Sequence, residues 1–147
     1  MTHETVEILL VEDNAADLEL ALHALRKSKL ANTIHIARDG EEALDYLFRK
    51  GPHSARAATM PRVVLLDLKL PKVNGLEVLK AIREDERTKC VPVVALTSSK
   101  EQKDILSSYQ LGVNSYIQKP VDFDQFQQAI QQLGLYWLVV NQVPFAR

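Results

Sequence analysis

Short apolar runs alternate with longer amphipathic segments five times along the chain. The runs are Val6–Val11, Ile34–Ala37, Val63–Leu66, Val91–Leu96 and Tyr116–Ile117. Most are rich in Val, Ile and Leu with no polar alternation, the pattern of strands buried on both faces of a parallel sheet. The run around Ile34 and Ile36 does alternate, which places it at a sheet edge.

The intervening segments carry helical stripes. Leu18, Leu22 and Leu25 make one, Ala43, Leu44, Leu47 and Phe48 a second, and Val78, Leu79 and Ile82 a third. Phe123, Phe126, Ile130, Leu133 and Trp137 fall on one face of a last helix. Asp39 precedes Glu42 by three residues, as Asn74 does Glu77, Ser98 does Glu101, and Asp122 does Gln125. Each pair fits the reciprocal satisfaction of unpaired N–H groups at a helix start, and Asn14 fits the cap of the first helix. Strand–helix alternation with short connections implies an α/β doubly wound sheet, because parallel strands need crossover helices. Right-handed crossovers then bring every strand's carboxyl end to one edge, where such folds place their sites. One connection is out of line. Gly51–Arg62 lacks periodicity and reads as a long surface loop.

The 147 residues form one domain by length, with 18 Lys+Arg against 19 Asp+Glu and a net charge of −1. That balance gives no electrostatic case for nucleic acid or an anionic membrane. A single cysteine, Cys90, excludes an internal disulfide or a multi-cysteine zinc site, and its place ahead of the fourth strand reads as a small buried hydrophobe. The N-terminus lacks a basic, signal-like pattern, and the longest apolar run, Leu135 to Val140, is too short to span a membrane. The expected setting is cytoplasmic. The four histidines, His3, His23, His35 and His53, are scattered without ligand spacing and read as surface or boundary groups.

Polar residues follow the apolar strands directly. The first strand ends in Glu12-Asp13, the third in Asp67, the fourth in Thr97-Ser98 and the fifth in Lys119-Pro120. Three carboxylates in one pocket repel, so one holds a proton or a cation sits among them. A hard divalent ion such as Mg²⁺ resolves this and leaves positions for phosphate oxygens. Lys119 supplies a point charge suited to a phosphoryl group, Thr97 a hydroxyl donor, and Asp67 a possible nucleophile toward phosphorus.

These residues resemble the receiver domain of bacterial two-component response regulators. The matching pieces are Leu9-Leu10-Val11-Glu12-Asp13-Asn14, Leu65-Leu66-Asp67-Leu68-Lys69-Leu70-Pro71 with Asn74-Gly75, Ala95-Leu96-Thr97-Ser98, and Tyr116-Ile117-Gln118-Lys119-Pro120. The resemblance covers roughly residues 6–133, with the pieces in consistent order. The resemblance implies a flavodoxin-like fold of five parallel strands flanked by five helices, and a phosphoryl group passed from a histidine kinase to Asp67. It makes Glu12 and Asp13 the acidic pair for Mg²⁺ or Mn²⁺, with the Lys69 backbone carbonyl completing the protein ligands. Thr97, Lys119 and the Ser98 N–H would contact the phosphoryl group, and Thr97 and Tyr116 would act as the switch pair. The Lys119–Pro120 bond would be cis. Such a protein is a phosphoacceptor rather than an enzyme.

A narrower resemblance, to the stand-alone regulators of cyanobacterial-type phytochrome kinases, rests on the Gly51–Arg62 loop, the stretch Lys103 to Tyr109 and the apolar aromatic C-terminus. Residues 1–134 then form the receiver. Residues 135–147 form an extension that folds back over the domain or builds a homodimer face, the latter being the expectation. With no output domain following, signalling would run through protein contacts. Lys69 and Ser99 flank the path of a hydrolytic water and offer it neither carboxylate nor amide, so dephosphorylation is expected to be slow. Two rivals remain: a constitutive, non-phosphorylated scaffold of the same fold, and a metal-dependent phosphatase with an aspartyl intermediate. The phosphatase usually carries an acid two residues past its nucleophile, where this chain has Lys69, and needs a cap for which the chain has no room.

Overall fold

A computed structural model describes residues 7–28, 33–56, 60–98, 102–119 and 123–134. The strands are β1 (Glu7–Val11), β2 (Thr33–Ala37), β3 (Val63–Leu66), β4 (Val93–Thr97) and β5 (Ser115–Gln118). The helices are α1 (Ala15–Ser28), α2 (Gly40–Phe48), α3 (Gly75–Glu84), α4 (Gln102–Gln110) and α5 (Phe123–Gly134). All pairings are parallel, in the order β2-β1-β3-β4-β5, so the alternating strand does lie at an edge. This is the flavodoxin-like order.

The unbroken apolar runs have a direct cause: alternate residues of each inner strand enter different cores. Leu9, Val11, Val64, Leu66, Val93 and Ala95 face one side, packing with Ala43, Leu47, Val78, Leu79 and Ile82 of α2 and α3. Ile8, Leu10, Val63, Leu65, Val94 and Leu96 face the other, packing with Leu18, Leu22 and Leu25 of α1. Helix α5 lies against α1. Each fully buried aliphatic side chain contributes roughly 2 kcal/mol, so both faces are held by burial rather than by helix propensity. Strand β4 starts at Val93 rather than Val91 because Pro92 has no N–H, although its carbonyl still accepts from Val64 N at 2.9 Å.

The caps divide. Asn74 and Glu77 form the full reciprocal box at α3. At α2 only half forms: Asp39 accepts from Glu42 N at 2.7 Å, while Glu42 Oε1 turns to Arg38 N at 3.1 Å. Asn14 caps α1 by accepting from Asp17 N at 2.9 Å. The pairs Ser98–Glu101 and Asp122–Gln125, the side chains of the last apolar stripe, Pro120 and residues 135–147 lie outside the description.

Three expectations need correction. Cys90 is exposed; the turn after α3 instead buries Thr88, whose Oγ1 donates to Ile82 O at 2.7 Å. The segment after α2 is no plain excursion. Arg49 (φ 55°) and Gly51 (φ 54°) turn the chain back through a short 3-10 turn, Gly51–His53. Arg56 Nε then donates to Tyr46 O at 2.9 Å. Because of that fold-back the histidines are not all scattered: the rings of His35 and His53 come within 5.1 Å of each other.

Candidate functional site

Three strands end with a carbonyl that accepts from the backbone N–H of a candidate site residue. Glu12 N donates to Ala37 O at 2.9 Å, Asp67 N to Val11 O at 3.0 Å, and Lys119 N to Thr97 O at 2.7 Å. The main chain is thereby pinned one residue past β1, β3 and β5, and the polar side chains cluster beyond the apolar sheet. Carboxylate oxygens of Glu12, Asp13 and Asp67 come within 4.8 Å of one another, with Glu12 and Asp67 buried and Asp13 exposed.

Lys119 is the hub. Its Nζ lies 2.7 Å from Glu12 Oε1, 2.7 Å from Asp17 Oδ2 and 3.2 Å from Asp67 Oδ2. Asp67 Oδ1 accepts from Lys69 N at 3.1 Å, and Glu12 Oε2 from Asn14 N at 3.2 Å. The loop after β3 is held by α3: Gly75 N donates to Leu68 O at 2.9 Å. Any Cβ at Gly75 would run into the Asp67 carbonyl and the Leu68 backbone, so only glycine lets the helix approach this closely.

Four carboxylates (Glu12, Asp13, Asp17, Asp67) face one ammonium (Lys119), a formal balance of −4 + 1 = −3. The consequence shows at Glu12, whose pKa is pushed up to about 7. Burial is the main cause; the Lys119 hydrogen bond opposes it and the Asp67 charge reinforces it. For Lys119 burial alone would favour the neutral amine, but the hydrogen bonds it donates to Asp17 and Glu12 and the charge of Asp67 outweigh it and hold its pKa above the ordinary lysine value. A pocket short of positive charge and lined by carboxylate oxygens fits a hard divalent cation.

The remaining expected residues lie on neighbouring strands. Thr97 is fully buried at the end of β4, followed by exposed Ser98. Tyr116 pairs with Ala95 and Gln118 with Thr97, so Thr97 and Tyr116 share one face of the sheet, with Tyr116 half-buried. Lys69 sends its side chain to solvent. The Lys119–Pro120 bond and Ser99 fall outside the described residues. Sequence reading missed Asp17. The signal was available: it lies four residues past Asp13, in the first turn of α1. No helix among the described residues is long and apolar enough to cross a membrane.

Comparison with known proteins agrees with this geometry. Residues 8–131 match the response regulator receiver domain. The bacteriophytochrome response regulator RtBRR is 55% identical, with a TM-score of 0.79 over 96% of this chain and 85% of its own. The phosphorylated cyanobacterial phytochrome response regulator RcpA is 39% identical, with a TM-score of 0.89 over 96% and 99%. Response regulator Rcp1 of Synechocystis sp. is 37% identical over 139 residues, 95% of this chain and 93% of its own. The Mn²⁺-bound form of Rcp1 superposes with a TM-score of 0.86, at 36% identity over 94% and 98%. With strand order, acidic pocket and sequence in agreement, the chain belongs to the response regulator receiver domain family of two-component signalling proteins.

Proposed function

We propose that Asp67 accepts a phosphoryl group from a sensor histidine kinase of the phytochrome type. The observation that carries this reading is Lys119, whose single ammonium is shared by Glu12, Asp17 and Asp67 at the meeting point of β1, α1, β3 and β5. In the transfer a carboxylate oxygen of Asp67 forms a bond to phosphorus while the P–N bond to the kinase imidazole breaks. The imidazole leaves with the bonding pair and takes up a proton. Negative charge spreads over the three phosphoryl oxygens, and Lys119 is already in place to follow it.

Glu12, Asp13, Asp67 and the Lys69 carbonyl would hold Mg²⁺ or Mn²⁺, which when bound neutralises charge on the phosphoryl oxygens. Thr97 and the Ser98 N–H donate to the modified group. Movement of Thr97 toward it frees space on the shared sheet face, and Tyr116 turns into that space, changing the surface of α4, β5 and α5. The exposed Lys69 side chain gives an attacking water neither carboxylate nor amide, so the acyl phosphate is lost slowly. The apolar sequence of residues 135–140 supports a homodimer built through the 135–147 extension, working in the cytoplasm through protein partners. In this reading the receiver proper is residues 1–134.

Phosphotransfer from an autophosphorylated phytochrome kinase to wild type and to Asp67→Asn tests the reading. Label reaching wild type and not the variant is the expected result. Partner binding left unchanged by Asp67→Asn, with no label on either protein, would establish the constitutive scaffold instead.

A further inference from the structure

A second ligand set stands away from the acidic pocket, at the edge of the sheet. On β2 the side chains alternate: Ile34 and Ile36 pack with the core beneath α1, so His35 is turned toward α2. Glu42 and Tyr46, four residues apart, occupy one face of α2. The chain reversal after α2 returns His53 to the same place. The ring centroids of His35, Tyr46 and His53 form a triangle with sides of 3.8, 5.1 and 5.3 Å. One donor atom each from His35, Glu42 and His53 lies within 4.8 Å of the others, and all three residues are half-buried.

We propose that His35, Glu42 and His53 bind a divalent first-row transition metal of the Zn²⁺ class. Two imidazoles and a carboxylate suit that class, and they leave positions open for water. With metal–donor bonds of about 2.1 Å, neighbouring tetrahedral donors sit roughly 3.4 Å apart, so side-chain rotation alone closes the observed spread. The Glu42 oxygen that accepts from Arg38 N keeps the carboxylate aimed while its remaining lone pairs serve the metal. The neighbouring Arg56 does not compete. Arg56 Cζ lies 4.1 Å from the Tyr46 ring and His35 stacks on that ring at 3.8 Å, so the two occupy opposite faces. The ligands come from the edge strand, a helix and the turn after it, so the ion fastens the start of the 51–62 segment to the sheet. The two sites differ in donor chemistry: two imidazoles and one carboxylate here, oxygen donors alone in the acidic pocket.

The test is calorimetric titration of Zn²⁺ into the chelator-stripped full chain, with Mg²⁺ saturating the acidic pocket. It compares wild type, His53→Ala, Glu42→Gln and the double variant Asp13→Asn/Asp67→Asn. One Zn²⁺ per chain is expected in wild type and in the double variant. Loss of an outer-sphere partner alone commonly weakens metal affinity by about tenfold or more, so both His53→Ala and Glu42→Gln must weaken Zn²⁺ by at least that much. Circular dichroism of the metal-free proteins shows whether His53→Ala folds. Should it not, Glu42→Gln and the visible bands of Co²⁺, lost in that variant, carry the test. Zn²⁺ uptake unchanged in both site variants, absent from wild type, or abolished by the acidic-pocket double variant would overturn the site and leave a packing cluster of aromatic rings.

Discussion

The acidic pocket and the histidine cluster each bring donor atoms of three residues able to ligate a metal within 4.8 Å of one another, yet they are built in different ways. The pocket is made at strand ends, one residue beyond β1, β3 and β5, where the backbone ladder fixes every position before a side chain is chosen. The histidine cluster is made on the flank of an edge strand, and one of its three members, His53, depends on a reversal at Arg49 and Gly51. The pocket carries its own cation, Lys119, among oxygen donors. The cluster keeps its neighbouring cation, Arg56, across an aromatic ring. The first arrangement is stable without an added ion but electrostatically tense, as Glu12 shows. The second is a set of stacked rings whose cost without metal is small.

The largest effect that separates the two regions is expected from Lys119→Met. Removing one partner from a buried charge cluster costs about 3 kcal/mol, because Glu12 and Asp67 are left facing each other unpaired. The loss should shrink at pH 6, where Glu12 takes a proton, and shrink again with Mg²⁺. Urea unfolding at pH 6 and pH 8 measures both, whereas His53→Ala should cost only about 1 kcal/mol at either pH. A loss independent of pH would remove Glu12 from the explanation.

Glycine substitutions sharpen the contrast at slightly smaller size. Gly75→Ala forces α3 away from the Asp67 loop and should cost about 2 kcal/mol, with slower phosphoryl uptake. Gly51→Ala meets only an ordinary contact, Asp45 Oδ2 at 3.9 Å, but keeps a positive φ, so about 1 kcal/mol is expected, with uptake unchanged. Thermal melts and phosphorylation rates on the two variants decide whether geometry at Gly75 matters to chemistry as well as to stability.

The pH dependence follows from Glu12. Its pKa of about 7 in the folded chain exceeds the ordinary 4.5, so the metal-free folded state holds the extra proton between those values. Its contribution to stability therefore falls as pH rises through that window and is flat on either side. Metal must displace the proton, so Mg²⁺ affinity should drop up to about tenfold per pH unit below 7 and level off above it. Glu12→Gln should flatten that profile in a calorimetric titration. Smallest is Asp39→Ala, which removes the cap holding Glu42 N and should cost about 1 kcal/mol. It should loosen the histidine cluster, read as weaker Zn²⁺ binding, and leave Asp67 chemistry untouched.

Legibility in the sequence follows the same division. Val63–Leu66 could be read, and most of β4 (expected at Val91–Leu96, found at Val93–Thr97), because both faces are buried, and β2 because one face is less so. Glu12 and Asp67 could be read because each directly follows an apolar run, and Asp13 and Lys119 because each lies one residue further on. Asp17 could not be read from a strand end, since it reaches Lys119 from the first turn of α1 across 102 residues. Glu42 looked like half of a capping box, and at α2 its carboxylate bonds one residue earlier than the box requires. His35 and His53 are joined only by the reversal after α2, whose left-handed residue at Arg49 leaves no periodic signal. Cys90 misled because it adjoins the apolar run that Pro92 shortens from within.

Intact-mass spectrometry after incubation with acetyl phosphate, with and without Mg²⁺, on wild type and Asp67→Asn, tests the central claim most directly. One phosphoryl group is expected on wild type, dependent on Mg²⁺ and absent from the variant. A phosphoryl group on Asp67→Asn equal to that on wild type, or uptake indifferent to Mg²⁺, would contradict it.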